Sequence, residues 1–415
     1  MGMNKYGLPF LFLLLPFGVH AQEDSIAKAR PPHTRHLALE VRGAYDSNVL
    51  YNDLVMGLYN GGWLSKEIRQ RSMDAMGKNN RAGYEQAAKL TYTWGQRSIG
   101  RRIFRSRTSL SQQSYLGLHF ATDAYALSFF GNKQFEDRSA QVGPSAFAQV
   151  SYQQVAFGLE EHSTGSYLEV GLVNGSRLNS GKIRRADLYT APAAEYIEVD
   201  LNGSYARADT AAAQWSKGIG AAISLRWCHG LTLFKNDARI TLGTEDLGFV
   251  AWANRSLSVA KDSLIRFEGL TADGLLDLDG LILDQHELQD SLGLGYTQGR
   301  FATLLPALFW GEIGLGRVRH AFDGRVKHAW VLMVAHRLLP GYRPHVSVKH
   351  EFHLNDALAC TVGLAHGGFG DLRVLLGLEA SVGQHLSFAA ETMNATGFLP
   401  GFRGKALLFK AAWAW

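Results

Sequence analysis

Cysteine is nearly absent: Cys228 and Cys360 are the only two in 415 residues, which allows at most one disulfide. Neither lies just after the N-terminal apolar run, so a lipidated N-terminus is not expected. Neither sign of charge dominates. Lys and Arg total 42 against 37 Asp and Glu, and the resulting +5 is too small to point to nucleic acid. Beyond residue 19 no apolar run approaches the ~20 residues that a helix needs to cross a bilayer. Prolines number 10 against 45 glycines, aromatics make up 11%, and mean hydropathy is near neutral at −0.09. A soluble β-sandwich array shows similar bulk values, so the pattern along the chain must decide.

The N-terminus sets the compartment. Lys5 precedes an apolar stretch from Leu8 to Val19, and Val19-His20-Ala21 places small residues at the two positions that signal peptidase reads. That is the grammar of a secretory signal peptide, residues 1–21, cleaved after Ala21. Residues 22–415 contain no repeat or linker and are read as one domain.

Alternation is clearest near the C-terminus. Val346, Val348, Phe352 and Leu354 share one face of a stretch whose other face carries His345, Ser347, Lys349, Glu351 and His353. In Leu372–Ala380, the even positions are apolar and the other face carries Arg373, Leu375, Gly377 and Glu379. A period of two with one apolar and one polar face means a sheet. A barrel in lipid needs that arrangement, with the apolar side outward and the polar side lining the lumen. His345, Lys349, Glu351, His353, Arg373 and Glu379 are therefore expected to face the lumen.

The turns carry a phase. Asp323-Gly324, Asn355-Asp356 and Gly383-Gln384 each separate two alternating segments, at intervals of 32 and 28 residues. All three fall on one edge of the sheet. The connections at Leu339-Pro340-Gly341 and His366-Gly367-Gly368 fall on the other. Short turns on the periplasmic edge and longer loops outside are the habit of bacterial barrels.

Upstream strands are expected at 37–45, 84–94, 114–120, 124–130, 146–159, 167–173, 196–205, 218–227, 238–242, 247–253, 305–318 and 328–336. The fold class is therefore all-β: a transmembrane antiparallel β-barrel of about 14 strands. A short N-terminal helix is expected over Ser65–Met76, with Ser65 as N-cap and Gly77 as stop. It would plug the lumen, cap the periplasmic end or lie on a surface loop. Residues 268–298 read as a long acidic loop. Leu407, Phe409, Trp413 and Trp415 share the apolar face of the last strand, an insertion signal for the barrel-assembly machinery.

Three blocks in order carry a resemblance: Leu168-Glu169-Val170-Gly171-Leu172-Val173-Asn174-Gly175, Ala186-Asp187-Leu188-Tyr189-Thr190 and Leu201-Asn202-Gly203-Ser204-Tyr205. With Glu245-Asp246-Leu247-Gly248-Phe249 and Leu305-Pro306-Ala307, they resemble an uncharacterised outer-membrane barrel family of Bacteroidota. The resemblance spans most of the chain after the signal. It implies a barrel of this length and transfers no functional residue. More distantly, the architecture is similar to fatty-acid-transporter-type barrels and to barrels accompanying the type IX secretion system.

Chemistry has little to stand on. His162-Ser163-Thr164-Gly165 superficially resembles the His and Ser of outer-membrane lipid hydrolases but lacks an orienting third group. Asp273, Asp277 and Asp279 lack the bidentate Glu of a calcium loop, and no histidine cluster suits zinc. Arg97, Arg101, Arg102, Arg105 and Arg107 are expected in a solvated loop, with phosphate binding outside or anion attraction inside as alternatives. The expectation is thus a non-enzymatic barrel of the cell outer membrane, without metal or cofactor and without a nucleic-acid partner. Its partners are the outer-membrane lipids and the assembly machinery. It would serve as a channel or transporter for small or apolar molecules; the alternatives are a structural or accessory barrel in envelope assembly or protein secretion, and, third, an outer-membrane lipid hydrolase.

Overall fold

The computed structural model describes residues 35–415 except 210–214, 234–235, 268–294, 317, 320–325, 328, 356 and 384. The expected signal segment, Asp273, Asp277, Asp279 and the Asp323-Gly324 turn therefore lie outside the described residues.

Fourteen strands close into one antiparallel barrel. In chain order they are β1 (His36–Ser47), β2 (Asn80–Ile99), β3 (Arg102–Phe120), β4 (Ser145–Glu161), β5 (Tyr167–Thr190) and β6 (Gly218–Leu233). Then come β7 (Asn236–Trp252), β8 (Leu308–Leu315), β9 (Trp330–Arg337), β10 (Arg343–Asn355) and β11 (Leu358–Gly368). The last are β12 (Arg373–Val382), β13 (Leu386–Thr392) and β14 (Lys405–Ala414). Each pairs with its neighbours in sequence, and β14 returns to β1 in register from His36↔Ala414 to Tyr45↔Lys405. Closure leaves the barrel itself no free edge, the condition for a sheet in hydrocarbon.

The apolar halves of the alternating strands point away from the axis. Leu39, Val41, Phe157, Leu172, Phe249, Leu364 and Phe409 are all at least 40% exposed, and this outer surface is apolar on strand after strand. Toward the end that holds the C-terminus the outer side becomes aromatic. Trp413 and Trp415 pack at 4.4 Å, Tyr92 stacks on Trp94 at 5.1 Å, and Trp227 and Trp330 stand exposed further round. Such a girdle marks a membrane interface.

The two ends differ. At the C-terminal end most connections are short, as at Gly100–Arg101 between β2 and β3. At the far end several are long and structured. Between β1 and β2 lie helices α1 (Asn52–Asn60) and α2 (Lys66–Asp74), and after β3 comes α3 (Thr122–Phe130). Ser65 caps α2 by accepting from the Ile68 amide, and the helix ends at Asp74, short of Gly77. It caps the far end and not the end of the short turns. Leu54, Phe120 and Tyr125 pack with Ile68 and Met73 beneath the helices.

Residues 124–130, expected as a strand, are helix α3, with Asp123 in its first turn and Gly131 as its stop. A short apolar run has no period that separates the two states. Residues 238–242 and 247–253 belong to one strand, β7, bent by a bulge between them. Leu305, Pro306 and Ala307 are not strand but a break before β8. Cys228 and Cys360 are free thiols, on β6 and β11.

Candidate functional site

Wall height is uneven. β2 to β7 run 16–24 residues, whereas β8 to β14 run 7–13. Over the short wall, three connections fold inward. Leu305 and Ala307 are each 1% exposed, and the Leu305 amide donates to the Gly248 carbonyl at 2.9 Å. The Leu338–Tyr342 connection crosses to β3 on the opposite wall, where the Pro340 carbonyl lies over Gly117. A Cβ at Gly117 would sit 2.6 Å from that oxygen, so only glycine lets the loop lie this close. Phe369 lies against Gly83 of β2 and meets Tyr342 edge to face at 5.2 Å. Asp371 pairs with Arg81 at 2.8 Å, and Arg373 pairs with Asp46. Leu305 and Leu339, from two of these loops, join Tyr115, Tyr152, Val173, Leu178, Val250 and Trp252 in an apolar core within the barrel.

Below this plug, toward the C-terminal end, the lumen holds a polar cavity of about 290 Å³. Its lining includes Glu40, Arg42, Lys89, Arg107, Gln113, Tyr167, Arg226, Glu245 and Asp246. The acidic pair comes from the β7 bulge, where Leu225 pairs with Thr244 but Ile223 pairs with Leu247. Glu245 and Asp246 both oppose Ser224, and Asp246 takes a left-handed φ of 56°. The bulge breaks the in-and-out alternation and turns two consecutive carboxylates inward. The Asp246 amide donates to Ser224 Oγ at 3.1 Å, and Tyr152 donates its hydroxyl proton to Asp246 Oδ2 at 3.0 Å. A non-glycine residue held at this φ costs of order 1–3 kcal/mol, sustained by such bonds.

The basic side is set by alternation alone. Arg107 Nη1 meets Glu160 Oε2 at 2.8 Å and its Nε meets Glu169 Oε1 at 3.0 Å, while Arg105 meets Glu160 Oε1 at 3.1 Å. Glu160 and Glu169 are at most 1% exposed, so each buried carboxylate is neutralised by guanidinium. Arg107 and Arg226 lie over the Tyr167 ring, 4.3 and 4.9 Å from its centroid. Arg42 and Arg337 share Glu85, at 2.7 and 3.3 Å. Lys89 is bound more loosely, its Nζ 3.6 Å from Glu169 Oε2 and its side chain 30% exposed.

The cavity lining carries both signs of charge. Arg42, Lys89, Arg107 and Arg226 stand against Glu40, Glu245 and Asp246.

The residues expected in the lumen form a separate strip. His345 is 3% exposed and Arg373 Nη2 lies 3.0 Å from its Nδ1 beneath the plug. Lys349 meets Glu391 at 3.4 Å, and His353 meets Glu351 at 3.1 Å. Glu379 is half-buried on β12 opposite Ala359 and Ala389. On the outer side, Leu407, Phe409, Trp413 and Trp415 are 36–52% exposed. The arginine run is not a loop. Arg97 lies on β2 opposite Phe104, Arg101 is in the two-residue turn and Arg102 opens β3, while Arg105 is buried and Arg107 half-buried in the lumen. Alternation with Leu110 carried that signal, since Arg105 and Arg107 share the inward phase of Ser109 and Ser111. Ser163 and Thr164 donate to Glu161, at 3.4 and 2.7 Å, within the tight turn between β4 and β5. Among the described residues no group of three or more His, Cys, Asp or Glu could hold a metal ion.

No family model matches the chain, and no curated protein does, so the resemblance to the Bacteroidota family stands on its motifs alone. Solved structures with a similar course include the Pseudomonas putida toluene transporter TodX, at 9% identity over 93% of this chain and 91% of that one, TM-score 0.40. A Pseudomonas aeruginosa FadL homologue covers 92% and 90% at 12% identity, TM-score 0.35. The translocator domain of the autotransporter NalP from Neisseria meningitidis covers 94% and 90% at 8% identity, TM-score 0.31. At such scores the likeness carries no argument, and the fold rests on the strand pairing.

Proposed function

We propose that this chain is a gated outer-membrane channel for small polar solutes. The observation that carries the reading is a charge-lined cavity in the lumen, shut from the far end by three inward loops and an apolar core. A barrel serving only as a scaffold has no need of a bulge that turns two carboxylates into such a space. With the short turns periplasmic, as bacterial barrels place them, the cavity lies on the periplasmic side and the plug faces outward. The polar lining favours water-soluble cargo over apolar cargo.

Swelling of proteoliposomes in solutes of graded size tests this. The native barrel should admit solutes that fit a space near the small end of ligand pockets, roughly 300 Å³. Leu339→Asp, which puts a charge into the plug, should speed the uptake. Native vesicles as tight as protein-free ones, with the variant no faster, would leave the accessory-barrel reading in its place.

A further inference from the structure

We infer that the space between Lys89 and Glu245 is a recognition site for a small zwitterion, a molecule bearing an ammonium and a carboxylate a few bonds apart. This deepens the channel reading and rests on it.

Both side chains line the cavity and each lies in the other's field. Yet no ion pair joins them among the described residues; Lys89 turns to Glu169 at the long distance of 3.6 Å. Glu245 has no hydrogen bond or ion pair among the described residues, whereas its neighbour Asp246 is held by Tyr152 and Ser224. Two opposite charges thus line one cavity without closing on each other. Lys89, Arg42, Arg226 and Arg337 hold Glu245 in their fields without touching it, which leaves its oxygens open to water or a ligand.

A simple cation drawn to Glu245 also meets the fields of Lys89, Arg42 and Arg226, and a simple anion drawn to Lys89 leaves Glu245 unmatched. A dipolar molecule satisfies both ends at once: its ammonium donates to Glu245 and its carboxylate accepts from the Lys89 ammonium. The lining of both signs and the cavity of about 290 Å³ suit a small molecule that carries both charges.

Calorimetric titration of the detergent-folded full chain tests this with three probes on one carbon skeleton: 3-aminopropanoate, propanoate and propylammonium. The zwitterion should bind, and each single-charge probe should bind at least about tenfold more weakly, one lost charge contact being worth roughly 1.4 kcal/mol or more. Glu245→Gln should reduce zwitterion binding to the level of propanoate, and Lys89→Met to that of propylammonium, with heat-modifiable gel migration confirming a folded barrel. If a variant does not fold, discrimination among the three probes by the native chain decides. Equal binding of all three, no binding of any, or folded variants that bind like the native chain would each overturn the inference. Swelling that fails while the titration succeeds removes the channel reading alone, and the reverse removes the zwitterion site alone.

Discussion

Ion pairs in this barrel are worth very different amounts according to where they sit. Glu160 is fully buried between Arg105 and Arg107, whose side chains are 8% and 12% exposed. Glu160→Ala leaves two guanidiniums without their shared carboxylate in a poor dielectric, and a loss of about 3–5 kcal/mol is expected. Arg185 and Asp200 form a pair of similar length, 2.8 Å, but are 50% and 40% exposed, so Arg185→Ala should cost under about 1 kcal/mol. Denaturant unfolding of the refolded barrel followed by tryptophan fluorescence reads both, and equal losses would refute the buried network. The sequence signals these inward charges wherever alternation is unbroken, as at Glu169 between exposed Leu168 and Val170. It does not signal Glu245 and Asp246, because two adjacent residues facing one way require a bulge, and a bulge is a property of two paired strands.

At the level of elements, long alternating strands are legible and short apolar runs are not. β10, β12 and β14 are readable as strands because lipid on one side and lumen on the other enforce a period of two. Helix α3 and the inward turn at Leu305-Pro306-Ala307 have no such constraint; what they cover decides their shape, and their partners are remote in sequence. The last strand makes a test of its own. Trp413 and Trp415 stand outward in an aromatic cluster with Tyr92, so replacing both with Asp puts charge on the lipid-facing side near the interface. Each substitution is expected to cost up to about 1 kcal/mol at that depth. The proportion of heat-modifiable, folded protein in membranes should fall, and unchanged amounts of folded double mutant would remove the assembly role proposed for this strand.

For the whole molecule, location is the first question. A closed sheet with an apolar outside and an aromatic girdle should sediment with outer membranes and shift on gels between heated and unheated samples. Recovery from the soluble periplasm would contradict it. Closure has a second consequence, for how the chain reaches this state. β1 is the first barrel strand made and β14 the last, yet the two are hydrogen-bonded along ten paired residues. That contact has the largest sequence separation in the fold, so its loop-closure entropy is met last and it should limit the folding rate. Until then β1 and β14 are open edges lined with Leu39, Val41 and Phe409, a template for pairing with another chain. The seam is therefore where a misassembled copy would join its neighbour, and where a catalyst of insertion would have to hold the barrel open.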